Sequence, residues 1–205
     1  MYVHRLGVFC CLIFAAVSGL PLTDSFPTGI GSMADNGCVC HGSQSNATEV
    51  SLQGLPIQFE SSQTYAITLS LESSVERTTN ASHGGFRILM SEGLLEPENE
   101  SLVQVIEDGW THTLVGSTLR TWNFTWTAPS DNTTAVDFIV HGNAVNGNGN
   151  SMGDMWNSFG IQIPGSQYVG ERENPQVFDE LNAEQYSILY GGILVLLFFL
   201  YRTLK

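Results

Sequence analysis

The 205-residue chain is short of charge, and above all of bases. Charged residues are 13% of it, with 20 Asp and Glu against 7 Lys and Arg, where soluble domains carry roughly a quarter. Lysine is absent before Lys205. Arg5 sits in an apolar leader, and Arg202 and Lys205 follow an apolar tail. The residues between hold four arginines against all twenty acids, a charge of −16. A nucleic-acid partner, which requires clustered bases to displace counterions from phosphates, is therefore not expected. Cysteine is equally scarce. Cys10 and Cys11 lie in the leader, leaving Cys38 and Cys40, and a pair one residue apart cannot staple a fold. No nucleophile–base arrangement, phosphate loop or HExxH-type motif is present, so no enzyme is expected. Disorder is argued against by what is there: four Trp and many β-branched residues.

The two ends read as targeting segments. His4 and Arg5 precede the run Val8 to Val17, which closes on small Ser18 and Gly19, the pattern of a secretory signal over residues 1–19. At the other end Tyr186 to Tyr201 carries no charge and is followed by Arg202 and Lys205. With Thr203 and Leu204 it is expected to form a single transmembrane helix over 186–204. Bases beyond it and acids before it put the body outside the cell. The expected organisation is a signal (1–19), an N-terminal segment (20–35), one domain (36–164), a polar stalk (165–185) and the anchor, with the protein in the cell membrane.

Period-two alternation runs through the body. Val50 and Leu52 alternate with polar residues, as do Ile67, Leu69 and Leu71; further runs cover 85–91, 102–106, 119–127, 135–142 and 159–163. About seven short strands punctuated by Gly, Pro, Asn and Ser predict an all-β fold, an antiparallel immunoglobulin-like β-sandwich. In Thr121 to Thr127 the side chains of Trp122, Phe124 and Trp126 share a face, assigned to the core, which turns Asn123 outward. Asn123 opens one of five N-glycosylation sequons, at Asn46, Asn80, Asn99, Asn123 and Asn132.

Asn36 to Gly42 reads Asn-Gly-Cys-Val-Cys-His-Gly. Four readings compete for Cys38, Cys40 and His41: a strained Cys38–Cys40 disulfide, a zinc or copper site completed by distant ligands, covalent haem attachment in the manner of C-x-x-C-H, one residue short of that spacing, or local structure alone. The other histidines of the body are His83, His112 in Trp110-Thr111-His112-Thr113, placed between strands, and His141, on the strand face opposite Val136, Phe138 and Val140. The run Asn146 to Asp154 has oxygen-bearing side chains at every second residue, as a calcium loop does, yet supplies Asn where carboxylates are wanted; a turn-rich loop is expected. Exposed Trp110 or Trp156 would serve a glycan partner.

The layout resembles the choice-of-anchor V domain of prokaryotic surface proteins, itself similar to the reelin N-terminal (Reeler) domain. The matching pieces are Gly37 to Gly42, Gly54-Leu55-Pro56 ahead of Tyr65 to Leu69, Gly84-Gly85-Phe86, Thr111-His112-Thr113, Trp122 to Pro129, and Gly142 to Gly149 with Gly153-Asp154, over about residues 36 to 164. The resemblance implies an extracellular β-sandwich ahead of an anchoring segment. It also implies, by analogy with the C-x-x-C-H and Thr-His-Thr segments of many relatives, a haem or metal ion held by Cys38, Cys40, His41 and His112. The expected function is that of a membrane-anchored, glycosylated binding or structural module with a surface-protein or glycan partner; the alternative is a haem-, copper- or zinc-binding redox domain. Removal of N-glycans from protein made in a glycosylating secretory pathway is expected to raise its gel mobility, and replacing all five sequon asparagines by Gln is expected to abolish the shift.

Overall fold

The computed structural model describes residues 26–40, 43–79, 81–178 and 183–204. The signal expected at 1–19, the start of the N-terminal segment, His41 and Asn80 lie outside the described residues.

Among these, ten strands form two sheets. They are β1 (Ser43–Gln44), β2 (Thr48–Gln53), β3 (Thr64–Ser73), β4 (Gly84–Met90), β5 (Leu94–Pro97), β6 (Val103–Ile106), β7 (Gly109–His112), β8 (Thr121–Thr127), β9 (Ala135–Ala144) and β10 (Met155–Pro164). One sheet has the order β1-β10-β9-β4-β7-β6 and the other β2-β3-β8-β5. Pairing is antiparallel as expected, except that β1 runs parallel to β10, with Ser43 opposite Met155. The two sheets face each other as a sandwich around one apolar core.

Alternation makes these segments strands, because successive side chains leave opposite faces of the pleat. In β8 Trp122, Phe124 and Trp126 are buried while Thr121 and Asn123 are exposed. Trp126 meets Phe59 and Phe138 edge-on, at 5.7 and 5.1 Å, and stacks on Tyr65 at 5.5 Å. In β9 Val136, Phe138 and Val140 face the same core. β5 and β7 escape the periodicity, and Thr111-His112 belongs to β7 rather than to a connection. β6 and β7 are joined by Glu107 and Asp108, at φ 47° and 60°, the two-residue turn with both central residues left-handed that suits a twisted hairpin.

The outer face of the six-stranded sheet is covered by the chain itself. Residues 26–40 cross it as a strap whose anchor is Arg87 on β4. Arg87 points away from Phe86 and Ile88, is 0% exposed, and donates through Nε to Asp35 Oδ1 at 2.8 Å, through Nη1 to the Ile106 carbonyl and through Nη2 to the Glu107 carbonyl at 2.8 Å. The Ser32 amide donates to Glu107 Oε2 at 2.6 Å, and the Ile30 amide to Thr111 Oγ1 at 3.2 Å. Beyond β10 the segment read as a stalk is packed on the body through residue 178. The Gln162 amide donates to Asn174 Oδ1 at 3.2 Å, and Phe178 lies edge-on to Trp156 at 6.0 Å. This blunts a long open strand edge.

The C-terminal helix α1 (Ala183–Leu204), described by itself, has 22 residues, about 33 Å at 1.5 Å per residue. It is long and apolar enough to cross a membrane and begins three residues before Tyr186.

Arg87→Met is expected to destabilise the body by about 3 kcal/mol, because two carbonyls and a carboxylate lose their donor together; urea unfolding followed by Trp fluorescence measures it.

Candidate functional site

Strap and sheet do not close completely. Between them lies a cavity of about 480 Å³, within the range of small-molecule sites. Its lining is mostly apolar, with Phe26 and Ile30 from the strap and Phe86 and Val145 from the sheet side. Cys38, Cys40 and His112 share it. Three of the four residues expected from the sequence therefore border one space, while His41 lies outside the described residues and His83 and His141 are not among the lining residues.

His112 occupies the place where the β4–β7 ladder stops. The ladder pairs Arg87 with Thr111 and Ile88 with Trp110; beyond it the Phe86 amide donates to His112 Nδ1 at 3.2 Å, and the Thr111 hydroxyl donates to the Phe86 carbonyl at 2.7 Å. An accepting Nδ1 puts the ring proton on Nε2, which faces the Phe26 carbonyl at 3.2 Å. Gly85 makes this seat, since a Cβ there would lie 2.7 Å from His112 Cε1. Strand glycines often mark such close approaches.

Cys38 and Cys40 are free thiols, both half-buried. Burial, and after it the neighbouring Cys40, push Cys38 up to about 12, which favours the protonated thiol over the thiolate at neutral pH. Among the described residues, no three His, Cys, Asp or Glu side chains gather to hold one ion. Gly37, at φ 101°, brings the chain over Trp156, whose ring atoms would sit 2.7 Å from a Cβ.

His141 is a second anchor for the strap. Its Nε2–H donates to the Asp35 carbonyl at 2.8 Å, and its Nδ1 accepts from the Ser158 hydroxyl at 2.7 Å. Burial holds its pKa below the ordinary value, partly opposed by the Asp35 carbonyl and charge. The Asn146 to Asp154 loop is turn-rich: Asn146, Asn148 and Asn150 each accept, through Oδ1, the amide two residues on, and Asp154 Oδ1 accepts the Asn146 amide at 3.1 Å. Its side-chain oxygens are spent on its own backbone. Trp156 is buried and Trp110 half-buried against Phe124, so Trp156 presents no open face to a sugar. Asn46, Asn99 and Asn123 are exposed, and Asn132 is half-buried, with its Nδ2 donating to Ser166 Oγ at 2.9 Å.

Sequence reasoning did not single out Arg87, Asp35 or Asn143. A glycine pair ahead of an apolar strand signals the close approach at His112, but nothing local marks Arg87 as buried.

No family model matches the chain, and no curated protein matches it. Among solved structures it is similar to the Reelin-N domain of F-spondin, at 16% identity over 61% of this chain and 91% of that one, with a TM-score of 0.40. The reeler domain of human F-spondin matches at 14% identity over 65% and 97%, with a TM-score of 0.43. A conjugative transposon lipoprotein from Bacteroides eggerthii matches at 18% identity over 57% and 97%, with a TM-score of 0.34.

The depressed His141 pKa has a stability consequence. Above its ordinary 6.5 the ring is neutral whether the chain is folded or not. As pH falls below that value, the unfolded chain takes a proton the folded one resists, and stability is lost. Melting temperature is expected to drop between about pH 7 and pH 5, and His141→Gln is expected to flatten that slope. A residual slope from His83 remains, as burial, Arg77 and Arg120 hold that ring down too.

Proposed function

We propose that this protein is a membrane-anchored, glycosylated extracellular binding module, without catalysis, that takes a largely apolar small molecule between its strap and its sheet. The observation that carries the reading is the cavity of about 480 Å³, walled by Phe26, Ile30, Phe86 and Val145. Supporting it, the helix at Ala183–Leu204 provides an anchor, and three sequon asparagines lie exposed on the body. The charge of −16 carried between the two apolar ends favours a neutral or cationic ligand over an anion.

A second reading rests on a separate observation: Cys38, Cys40 and His112 line the same cavity. Here the ligand is haem, held by thioether links to Cys38 and Cys40 with His41 beside them in sequence. When bound it supplies reversible one-electron transfer. His112 would border it, and could ligate it through Nε2 only after the ring proton moved to Nδ1, which would forfeit both the Phe26 carbonyl and the hydrogen bond from the Phe86 amide.

Titration with N-phenyl-1-naphthylamine, a neutral apolar fluorophore, is expected to show saturable fluorescence that Val145→Trp, which fills the cavity, weakens at least about tenfold, a loss of about 1.4 kcal/mol. Unchanged binding in that variant would sink the cavity reading. A Soret band that persists in denaturant and disappears in the Cys38→Ala, Cys40→Ala double variant establishes the haem reading; colourless protein after expression with a haem-attachment system removes it.

A further inference from the structure

Among the described residues, four buried side-chain atoms have no hydrogen-bond partner: His83 Nδ1, Trp126 Nε1, Trp156 Nε1 and Asn143 Oδ1. Of their residues only Asn143 lines the cavity. It sits on β9 between Gly85 of β4 and Trp156 of β10, is 5% exposed, and shares the outward face with His141. That neighbour has both ring nitrogens hydrogen-bonded, whereas the Asn143 acceptor has nothing. Burying an acceptor without a donor opposes folding, and an apolar residue of the same size would avoid the cost. Gly85, directly opposite, has no side chain to offer it a donor.

We infer that Asn143 is the polar recognition point of the cavity, and that its ligand carries an N–H or O–H group which Asn143 Oδ1 accepts. This rests on the cavity reading above and narrows it to an apolar body bearing a hydrogen-bond donor, an amide, ring N–H or hydroxyl. An analogue without the donor leaves the acceptor orphaned in the complex as well, and sites built to receive a polar hydrogen reject such analogues strongly. The excess of acids over bases between the apolar ends directs the choice toward a neutral or cationic donor.

The test uses carbazole and dibenzofuran, matched tricycles that differ in an N–H against an ether oxygen. Each is titrated by fluorescence into the full chain in detergent micelles; partition into the micelle is the same for every variant and cancels. The ratio of carbazole to dibenzofuran affinity is expected to be about tenfold higher in the wild-type chain than in Asn143→Leu, with Asn143→Ala as a second variant should the first fail to fold. Equal ratios with both compounds bound overturn the assignment of Asn143 and leave the cavity reading standing. Binding of neither compound to the wild-type chain overturns both.

Discussion

A single guanidinium joins three parts of the fold that share no sequence neighbourhood. Arg87 reaches Asp35 of the strap and the carbonyls of Ile106 and Glu107 at the β6–β7 turn, and it does so at 0% exposure. A buried cation without partners is prohibitively costly, so the strap and the turn are required wherever Arg87 is buried. Its five donors in a fixed fork suit this divergent task in a way a lysine would not. The left-handed turn at Glu107 and Asp108 is held from the same side, its carbonyl by Arg87 and its carboxylate by the Ser32 amide. Arg120 repeats the device near the cavity's other end: its contacts are the carbonyls of Ser73, Val75, His83 and Val145, and burial lowers its pKa.

The cavity follows from these anchors. The strap is pinned at Ile30, Ser32 and Asp35 and cannot settle flat onto a sheet face that carries Gly85 and Asn143 at that point. The bare backbone at Gly85 admits the His112 ring, and the ring finishes the hydrogen bonding of β4 where β7 stops. The same contact that satisfies the Phe86 amide therefore shapes the wall of the space. The thiols arrive on the strap rather than on the sheet, which places them on the element that is held by side chains and not by a ladder.

The sandwich was legible where alternation was long. β3, β8 and β9 each present seven or more residues, and the faces assigned to Trp122, Phe124, Trp126 and His141 are those observed. β5 and β7 were not legible: β6, equally short, shows Val103 and Val105 alternating with Gln104, and neither Leu94–Pro97 nor Gly109–His112 offers such an alternation. The same alternation misleads at Arg87: it turns the side chain away from the core, which ordinarily means toward water, and only the strap reverses that. Cys38 and Cys40 could be named as reactive and His112 as a possible companion, but their meeting depends on a crossing made by backbone with no periodicity. Asn143 was invisible because the expected strand stopped at residue 142, and only the observed β9, which runs to Ala144, puts it on the face under the strap.

The strap has a consequence for how the protein is made. It precedes every strand in the chain, yet its holding contacts span 52 residues to Arg87, 86 to His112 and 106 to His141. As the polypeptide emerges from the ribosome N-terminus first, the strap cannot be held at all its points until β9 has been synthesised. Long-range closure of this kind is slow relative to local hairpins. The cavity is accordingly among the last features to form, and Cys38 and Cys40 stay uncovered until the sheet beneath them is complete.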